Sequence, residues 1–208
     1  MPLSRFVAAV LCVGSLASAG SITYNVTVNT STISGTAGSL DFDFNPGASS
    51  QPASLQILNF ASDGTLAGNC PCGTGDVSGQ LPAALTFDNG TGFNDYFDQF
   101  TFGSAMSFDV SLFGPALSAP DGVSTSGSAF TFSMFFDPEG TLPVFTNDTT
   151  NGFAFEIDVN LDGTTTVTNF TEGAAIVTAE SSTPEPGSFV LVGAALVCCA
   201  ALRLGRSS

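Results

Sequence analysis

Residues 40–44 read Leu-Asp-Phe-Asp-Phe, and they are the clearest indication of fold class in the chain. Apolar Leu40, Phe42 and Phe44 alternate with acidic Asp41 and Asp43. A period of two residues is that of a β-strand, whose successive side chains point to opposite faces of a sheet. We therefore predict a strand with one face in an apolar core and an acidic face turned to solvent.

The same alternation recurs along residues 20–180, and turns rich in Gly, Pro, Asn and Asp separate its runs. The other predicted core positions are Ile22, Tyr24, Val26 and Val28; Met106, Phe108, Val110 and Leu112; Phe130, Phe132, Met134 and Phe136; and Phe153, Phe155, Ile157, Val159 and Leu161. The predicted turns lie at residues 45–47, 62–64, 88–92, 119–122, 137–140 and 161–163. Many short strands at this spacing predict an all-β domain, an antiparallel β-sandwich or jelly-roll-like fold with Phe side chains between two sheets.

Residues 1–19 have the features of a secretory signal peptide. One positive charge, Arg5, precedes the apolar run of residues 6–16, and small residues follow at Ala17 and Ala19. Signal peptidase accepts this small-x-small pattern. We predict an N-terminal signal helix that signal peptidase removes after Ala19, and hence an exported protein.

The distribution of charge excludes several classes of partner and of enzyme. The basic residues are Arg5, Arg203 and Arg206, so residues 20–187 contain all 18 acidic residues and no Lys, Arg or His. Such a domain repels nucleic acid and anionic lipid, and we expect it to bind neither. It also has no imidazole base, no Schiff-base lysine and no arginine clamp. We expect no enzyme, although glycoside hydrolysis by a carboxylate pair stays open.

The C-terminal residues combine a short linker with an apolar run. Residues 181–188 form a Pro- and Ser-containing linker with Pro184, Glu185 and Pro186, and residues 189–208 form a hydrophobic helix that ends with Arg203 and Arg206. The uncharged run is near the lower limit for a membrane span. Basic residues beyond it favour a cytoplasmic C-terminus, which predicts insertion into the inner membrane.

In this order, the Pro-Glu-Pro motif, the apolar helix and the terminal arginines resemble the PEP-CTERM sorting tail of exported bacterial proteins. The resemblance covers about residues 183–208; the stretches 40–47, 110–117 and 159–170 also look like those of small secreted proteins with this tail. It implies recognition by exosortase, a membrane enzyme that removes the tail, and delivery to the cell surface or extracellular matrix. Extracellular polysaccharide is a further possible partner.

The best candidate metal loop is Asp158-Val-Asn160-Leu-Asp162-Gly163, which has the spacing that opens a calcium loop. The twelfth position of such a loop carries Glu, and here it is Asn169. The alternative, which we favour, is a hairpin turn at Asp162-Gly163 between two strands. We therefore expect no metal and no cofactor.

A second polar stretch, residues 88–98, could bind an ion or a sugar. It contains Asp88, Asn89, Asn94, Asp95 and Asp98, with Tyr96 as a possible stacking platform for a sugar ring. A polar loop between strands has the same composition, and both interpretations stay open.

Two further features of the domain stay open. Cys70 and Cys72 are two loop thiols or a local bridge, and a zinc site would need further ligands. Five Asn-x-Ser/Thr sequences are possible glycosylation acceptors; they begin at Asn25, Asn29, Asn89, Asn147 and Asn169.

Three functions follow from these observations, in decreasing order of preference. The first is a non-enzymatic surface or matrix protein that is exported as a membrane-anchored precursor and sorted through its tail. The second is a calcium-dependent carbohydrate-binding module. The third is a carboxylate-only glycosidase.

Overall fold

A computed structural model describes residues 21–68 and 72–179, which belong to one compact unit. The predicted signal peptide with Ala17 and Ala19 lies outside the described residues. So do the predicted linker and tail, with Pro184, Glu185, Pro186, Arg203 and Arg206. Cys70 is also outside.

The described residues form two antiparallel sheets, which confirms the all-β prediction. The strands are β1 (Ser21–Asn29), β2 (Ala37–Pro46), β3 (Ser54–Ser62), β4 (Thr65–Leu66), β5 (Gly73–Thr74), β6 (Val77–Gly79), β7 (Leu85–Asp88), β8 (Asp95–Thr101), β9 (Ala105–Phe113), β10 (Ser128–Phe135), β11 (Phe153–Val159), β12 (Thr165–Asn169) and β13 (Ala175–Ala179). One sheet has the order β13-β1-β9-β3-β7-β6 and the other β12-β11-β10-β2-β8-β4, with β5 also paired to β8. A 3-10 turn (Ser31–Ile33) and a short helix, α1 (Pro115–Ser118), complete the elements.

The core lies between the two sheets and is built mainly from phenylalanine. Phe42 of β2 contacts Phe108 of the opposite sheet edge to face, with ring centroids 5.4 Å apart. Phe108 also contacts Phe132 of β10, at 5.2 Å. Leu40, Phe42 and Phe44 are fully buried, as their alternation predicts. The chain thus buries one face of each sheet against the other, the arrangement of a β-sandwich.

Two residues of the predicted core are exposed because their strands end before them. Phe136 follows the last residue of β10 and is 43% exposed. Leu161 lies two residues beyond the end of β11 and is 51% exposed. The alternation continues past the point where the backbone turns away from the sheet, so the prediction is wrong at these two positions.

The predicted turns all lie between strands or at strand ends. The clearest is Asp162-Gly163, which joins the antiparallel strands β11 and β12. Gly163 has a φ of 81°, in the left-handed region that favours glycine. The hairpin interpretation of this stretch is therefore confirmed.

Strands β1 and β13 bring the two ends of the described domain together. They are antiparallel neighbours in which Tyr24 is the register partner of Ala179, and Val28 that of Ala175. The start of β1 therefore lies beside the end of β13. Within residues 21–68 and 72–179, no helix is long and apolar enough to span a membrane.

Candidate acidic site

Three aspartates converge on the outer face of the seven-stranded sheet. Asp41 and Asp43 lie on β2, where Leu40, Phe42 and Phe44 occupy the core and turn both carboxylates outward. Asp95 lies on the neighbouring strand β8. One oxygen atom from each of the three carboxylates lies within 4.8 Å of the other two.

The register of the sheet explains this convergence. β2 pairs with β8 on one side, where Asp43 lies opposite Asp95. It pairs with β10 on the other side, where Thr131 lies opposite Asp43. Residues directly opposite on one face have Cβ atoms about 4.5–5.5 Å apart. Asp41, two residues before Asp43, reaches Asp95 along the diagonal.

The carboxylates are poorly satisfied. The Oδ1 atoms of Asp41, Asp43 and Asp95 are buried and have no hydrogen-bond partner among the described residues. Asp43 Oδ2 accepts a long bond of 3.5 Å from the hydroxyl of Thr131. Buried anionic oxygens without partners destabilise a fold, since each loses its hydration. Protonation of these carboxylates, or binding of a cation to them, would therefore stabilise the fold.

The chain after β10 contributes to the burial of the site. Ser39 Oγ donates to the backbone oxygen of Asp137 at 2.9 Å. Gly140 packs so closely on the ring of Phe97 that a Cβ atom there would lie 2.7 Å from the ring. Phe97 is the register partner of Asp41 on β8. The residue at 140 thus lies over the neighbour of Asp41 and helps to exclude water.

Burial and mutual repulsion raise the pKa of each group. Desolvation, then the charge of Asp43 and a hydrogen bond with Asp95, raises the pKa of Asp41 to about 9. Desolvation, then the charge of Asp95, raises the pKa of Asp43 to about 6. Desolvation also raises the pKa of Asp95. At neutral pH Asp41 thus holds a proton that it can donate to Asp95.

A metal ion is the other means of neutralisation. Hard cations such as Ca²⁺ take carboxylate oxygens as ligands, and Asp41, Asp43 and Asp95 offer three at one point. The described residues include no Lys, Arg or His that could pair with these carboxylates instead. The sequence predicts Asp95 as a candidate site residue but not Asp41 or Asp43. The pairing of β2 with β8 brings the three together, and this pairing cannot be inferred from the pattern of either strand alone.

The rest of the polar stretch 88–98 has structural roles. Asn89 Oδ1 accepts from the backbone nitrogen of Ala53 at 2.9 Å. Asn94 Nδ2 donates to the backbone oxygen of Phe44 at 2.9 Å. Asp88, at the end of β7, accepts a hydrogen bond from Ser54. These side chains hold loops against strands, as the alternative interpretation of a polar loop expected.

Tyr96 is not a stacking platform, and this hypothesis is wrong. Its ring is 1% exposed because it faces the core from β8. Its hydroxyl accepts from the backbone nitrogen of Leu81 at 3.1 Å and donates to Asp98 Oδ2 at 3.3 Å. Asp98 is also 1% exposed, and desolvation raises the pKa of its carboxyl. The exposed aromatic ring in this stretch is that of Phe93, at 55%.

Two polar side chains of the predicted calcium loop are hydrogen-bonded within the hairpin. Asn160 Nδ2 donates to the hydroxyls of Thr164 and Thr166, at 3.0 and 2.9 Å. Asp162 Oδ1 accepts from the backbone nitrogen of Thr164 at 3.0 Å. These bonds stabilise the hairpin and orient both side chains within it.

The same stretch lines an open cleft of about 480 Å³. Asp158, Asn160 and Leu161 form one side of the cleft, and Asn45 and Ser126 belong to its lining. Asp158 is the single carboxylate in this lining. A glycosidase of the usual kind needs two carboxylates that flank the sugar, so the cleft gives that hypothesis no support.

Cys72 is disulfide-bonded and its side chain is buried in the core. This bond excludes a free thiol or a thiolate metal ligand at position 72.

No protein-family model, no curated protein and no solved structure matches this chain.

Proposed function

We propose that the chain is a non-enzymatic, exported protein of the cell surface or extracellular matrix. Signal peptidase removes residues 1–19, the domain folds outside the inner membrane, and the C-terminal hydrophobic helix holds the precursor there. An exosortase-type enzyme then recognises Pro184, Glu185 and Pro186 and releases the domain. The proposal includes a signal helix in residues 1–19 and a hydrophobic helix in residues 189–208.

The observation that carries the proposal is the adjacency of the two ends of the domain. β1 follows the predicted signal peptide and β13 precedes the predicted tail, and the start of β1 pairs with the end of β13. Both connections to the membrane therefore leave from one end of one sheet. A domain attached in this way can fold while its predicted signal and tail are both in the membrane.

The surface charge supports the same proposal. Residues 20–187 contain no cationic side chain. Net charge far from zero keeps exported domains soluble and repels anionic lipid headgroups. The domain would therefore stay clear of the membrane to which its tail attaches it.

The test compares three forms of the full-length chain in cells that export it. In the first variant Pro184, Glu185 and Pro186 are all changed to Ala; in the control variant the adjacent Ser181, Ser182 and Thr183 are changed to Ala. We expect the wild type and the control outside the inner membrane, and the first variant in the membrane fraction. Retention of all three forms in the membrane fraction would refute sorting through this motif.

A second candidate function is the calcium-dependent part of the binding-module hypothesis, and the site formed by Asp41, Asp43 and Asp95 favours calcium binding without identifying a sugar site. Three buried carboxylate oxygens without partners are an arrangement that a divalent cation would stabilise. The test is isothermal titration of the exported protein with CaCl₂. We expect saturable binding that Asp43→Asn abolishes and that Glu172→Gln, at an exposed residue between β12 and β13, leaves unchanged. Equal binding by both variants would exclude this site.

A further inference from the structure

The five Asn-x-Ser/Thr sequences differ in what their amide nitrogen contacts. An N-linked sugar is attached to the Nδ2 atom of asparagine, so this atom must be accessible to a transferase. Two of the five acceptor sequences do not meet this condition, because the Nδ2 atom of their asparagine is hydrogen-bonded. Asn25 Nδ2 donates to Asp109 at 2.5 Å, and Asn89 Nδ2 donates to Gln51 and Ser128, both at 2.9 Å.

Asn29 satisfies the condition. It is exposed at the end of β1, and its Nδ2 has no hydrogen-bond partner in the part of the chain that the structure describes. Its Oδ1 accepts from both the backbone nitrogen and the hydroxyl of Ser31, at 3.1 and 2.7 Å. Ser31 is the hydroxyl residue of the same acceptor sequence. The turn therefore binds the amide oxygen and leaves the nitrogen free.

Asn169 is a natural comparison for Asn29, since it forms the same turn. Its Oδ1 accepts from the backbone nitrogen and the hydroxyl of Thr171, at 2.8 and 2.7 Å. Its Nδ2, however, donates to the backbone oxygen of Ala175 at 2.8 Å. The two sites thus share their turn and their exposure and differ at the nitrogen that reacts.

Asn147 is intermediate between these cases. It is exposed, and its Nδ2 makes one long contact of 3.4 Å with Glu172 Oε1. Its nitrogen is more accessible than that of Asn169 and less so than that of Asn29.

We propose that Asn29 is an acceptor for N-linked glycosylation in the folded domain. The donor is a sugar activated at C1 as a diphosphate ester, and a separate transferase supplies the catalytic base. A bond forms between Nδ2 and C1 of the sugar, the bond from C1 to the phosphate oxygen breaks, and the diphosphate leaves with its electron pair. One proton of Nδ2 passes to the base. The two donors of Ser31 stabilise the negative charge that Oδ1 gains as the nitrogen loses this proton.

The proposal is independent of the sorting tail, because it concerns the purified exported protein alone. The experiment incubates that protein with UDP-glucose and a soluble N-glycosyltransferase specific for Asn-x-Ser/Thr. Two synthetic peptides, residues 26–36 and 166–176, serve as unfolded references, and each contains one acceptor sequence. Chymotryptic peptides are then identified by mass, since residues 20–187 contain no trypsin site.

We expect both peptides to be modified at similar rates, and Asn29 of the folded protein to be modified at least about tenfold faster than Asn169, whose hydrogen bond must first break. Ser31→Ala should abolish modification of Asn29, and Ser31→Thr should restore it. An unmodified Asn29 in the folded protein, or an equal rate at Asn169, would overturn the proposal.

Discussion

Asp43 of β2 and Asp95 of β8 are direct cross-strand partners on the outer face of the seven-stranded sheet. Like charges in this position repel each other, and the described residues offer no cation to separate them. Asp41 adds a third carboxylate within 4.8 Å. The fold therefore places three acids together with no cationic side chain among the described residues to neutralise them. The pH dependence and the calcium dependence of stability follow from this site.

We predict that the domain loses stability as pH rises from about 5 to about 9 in the presence of a chelator. The pKa of Asp43 is raised to about 6 and that of Asp41 to about 9, so the folded state binds more protons than the unfolded state does. The stability from these groups is complete below their ordinary pKa of 3.8 and is lost as pH passes through the two raised values. Urea unfolding at pH 5, 7 and 9 measures it.

Groups with lowered pKa act in another pH range. Hydrogen bonds from Ser104 and nearby backbone lower the pKa of Asp63 to about 2, and its contribution is lost only as pH falls toward that value. Between pH 5 and pH 9 the raised groups therefore dominate. Asp41→Asn should flatten the profile, whereas Glu172→Gln, at an exposed residue between β12 and β13, should not. An unchanged profile in Asp41→Asn would contradict the assignment.

We predict that Asp43→Asn raises Tm in chelator at neutral pH by roughly 2–4 °C. The substitution removes one charge from the site and keeps the shape of the side chain. Addition of CaCl₂ should stabilise the wild type, by about 2.7 kcal/mol at one hundred times the dissociation constant, and should leave Asp43→Asn unchanged. Differential scanning calorimetry with and without CaCl₂ provides both values. A lower Tm for the variant in chelator would show that this carboxylate stabilises the fold.

The sequence predicts the strand of residues 40–44 and its two faces, but not the site that this strand helps to form. Asp41 and Asp43 were expected to face solvent, and they are partly buried because β8, β10 and the chain near Gly140 surround them. The pairing of Asp43 with Asp95 depends on the register between strands about 50 residues apart, which alternation within one strand does not encode. The prediction of an exposed Tyr96 was wrong for a related reason. The composition of residues 88–98 does not show which face of β8 each side chain occupies, and in the structure Asp95 faces outward and Tyr96 faces the core.

We predict that sodium chloride raises Tm at neutral pH. The 18 acidic residues of this chain face no Lys, Arg or His between residues 20 and 187, and salt screens their mutual repulsion. Thermal unfolding at several NaCl concentrations from about 10 mM to about 1 M, which shortens the Debye length from about 30 to about 3 Å, tests this. A steady fall in Tm over this range would count against repulsion as a dominant effect.

We predict that Phe108→Ala destabilises the domain by about 3–5 kcal/mol. Phe108 contacts Phe42, Phe132 and Phe155 of the opposite sheet, so its loss leaves a cavity between the sheets. Phe93→Ala, at an exposed ring, should change stability by less than about 0.5 kcal/mol. Urea unfolding of both variants is the measurement, and equal effects would contradict the face-to-face packing of the sheets.

The intact mass of the product released by exporting cells is the decisive measurement for sorting through the tail. We predict a chain that begins at Gly20, after cleavage at Ala19, and that lacks the hydrophobic residues beyond the Pro-Glu-Pro motif. Any attached sugar appears as a separate mass increment, which chymotryptic peptides assign to a residue. A released product that still contains residues 189–208, or a full-length chain found in the membrane alone, would contradict sorting through the tail.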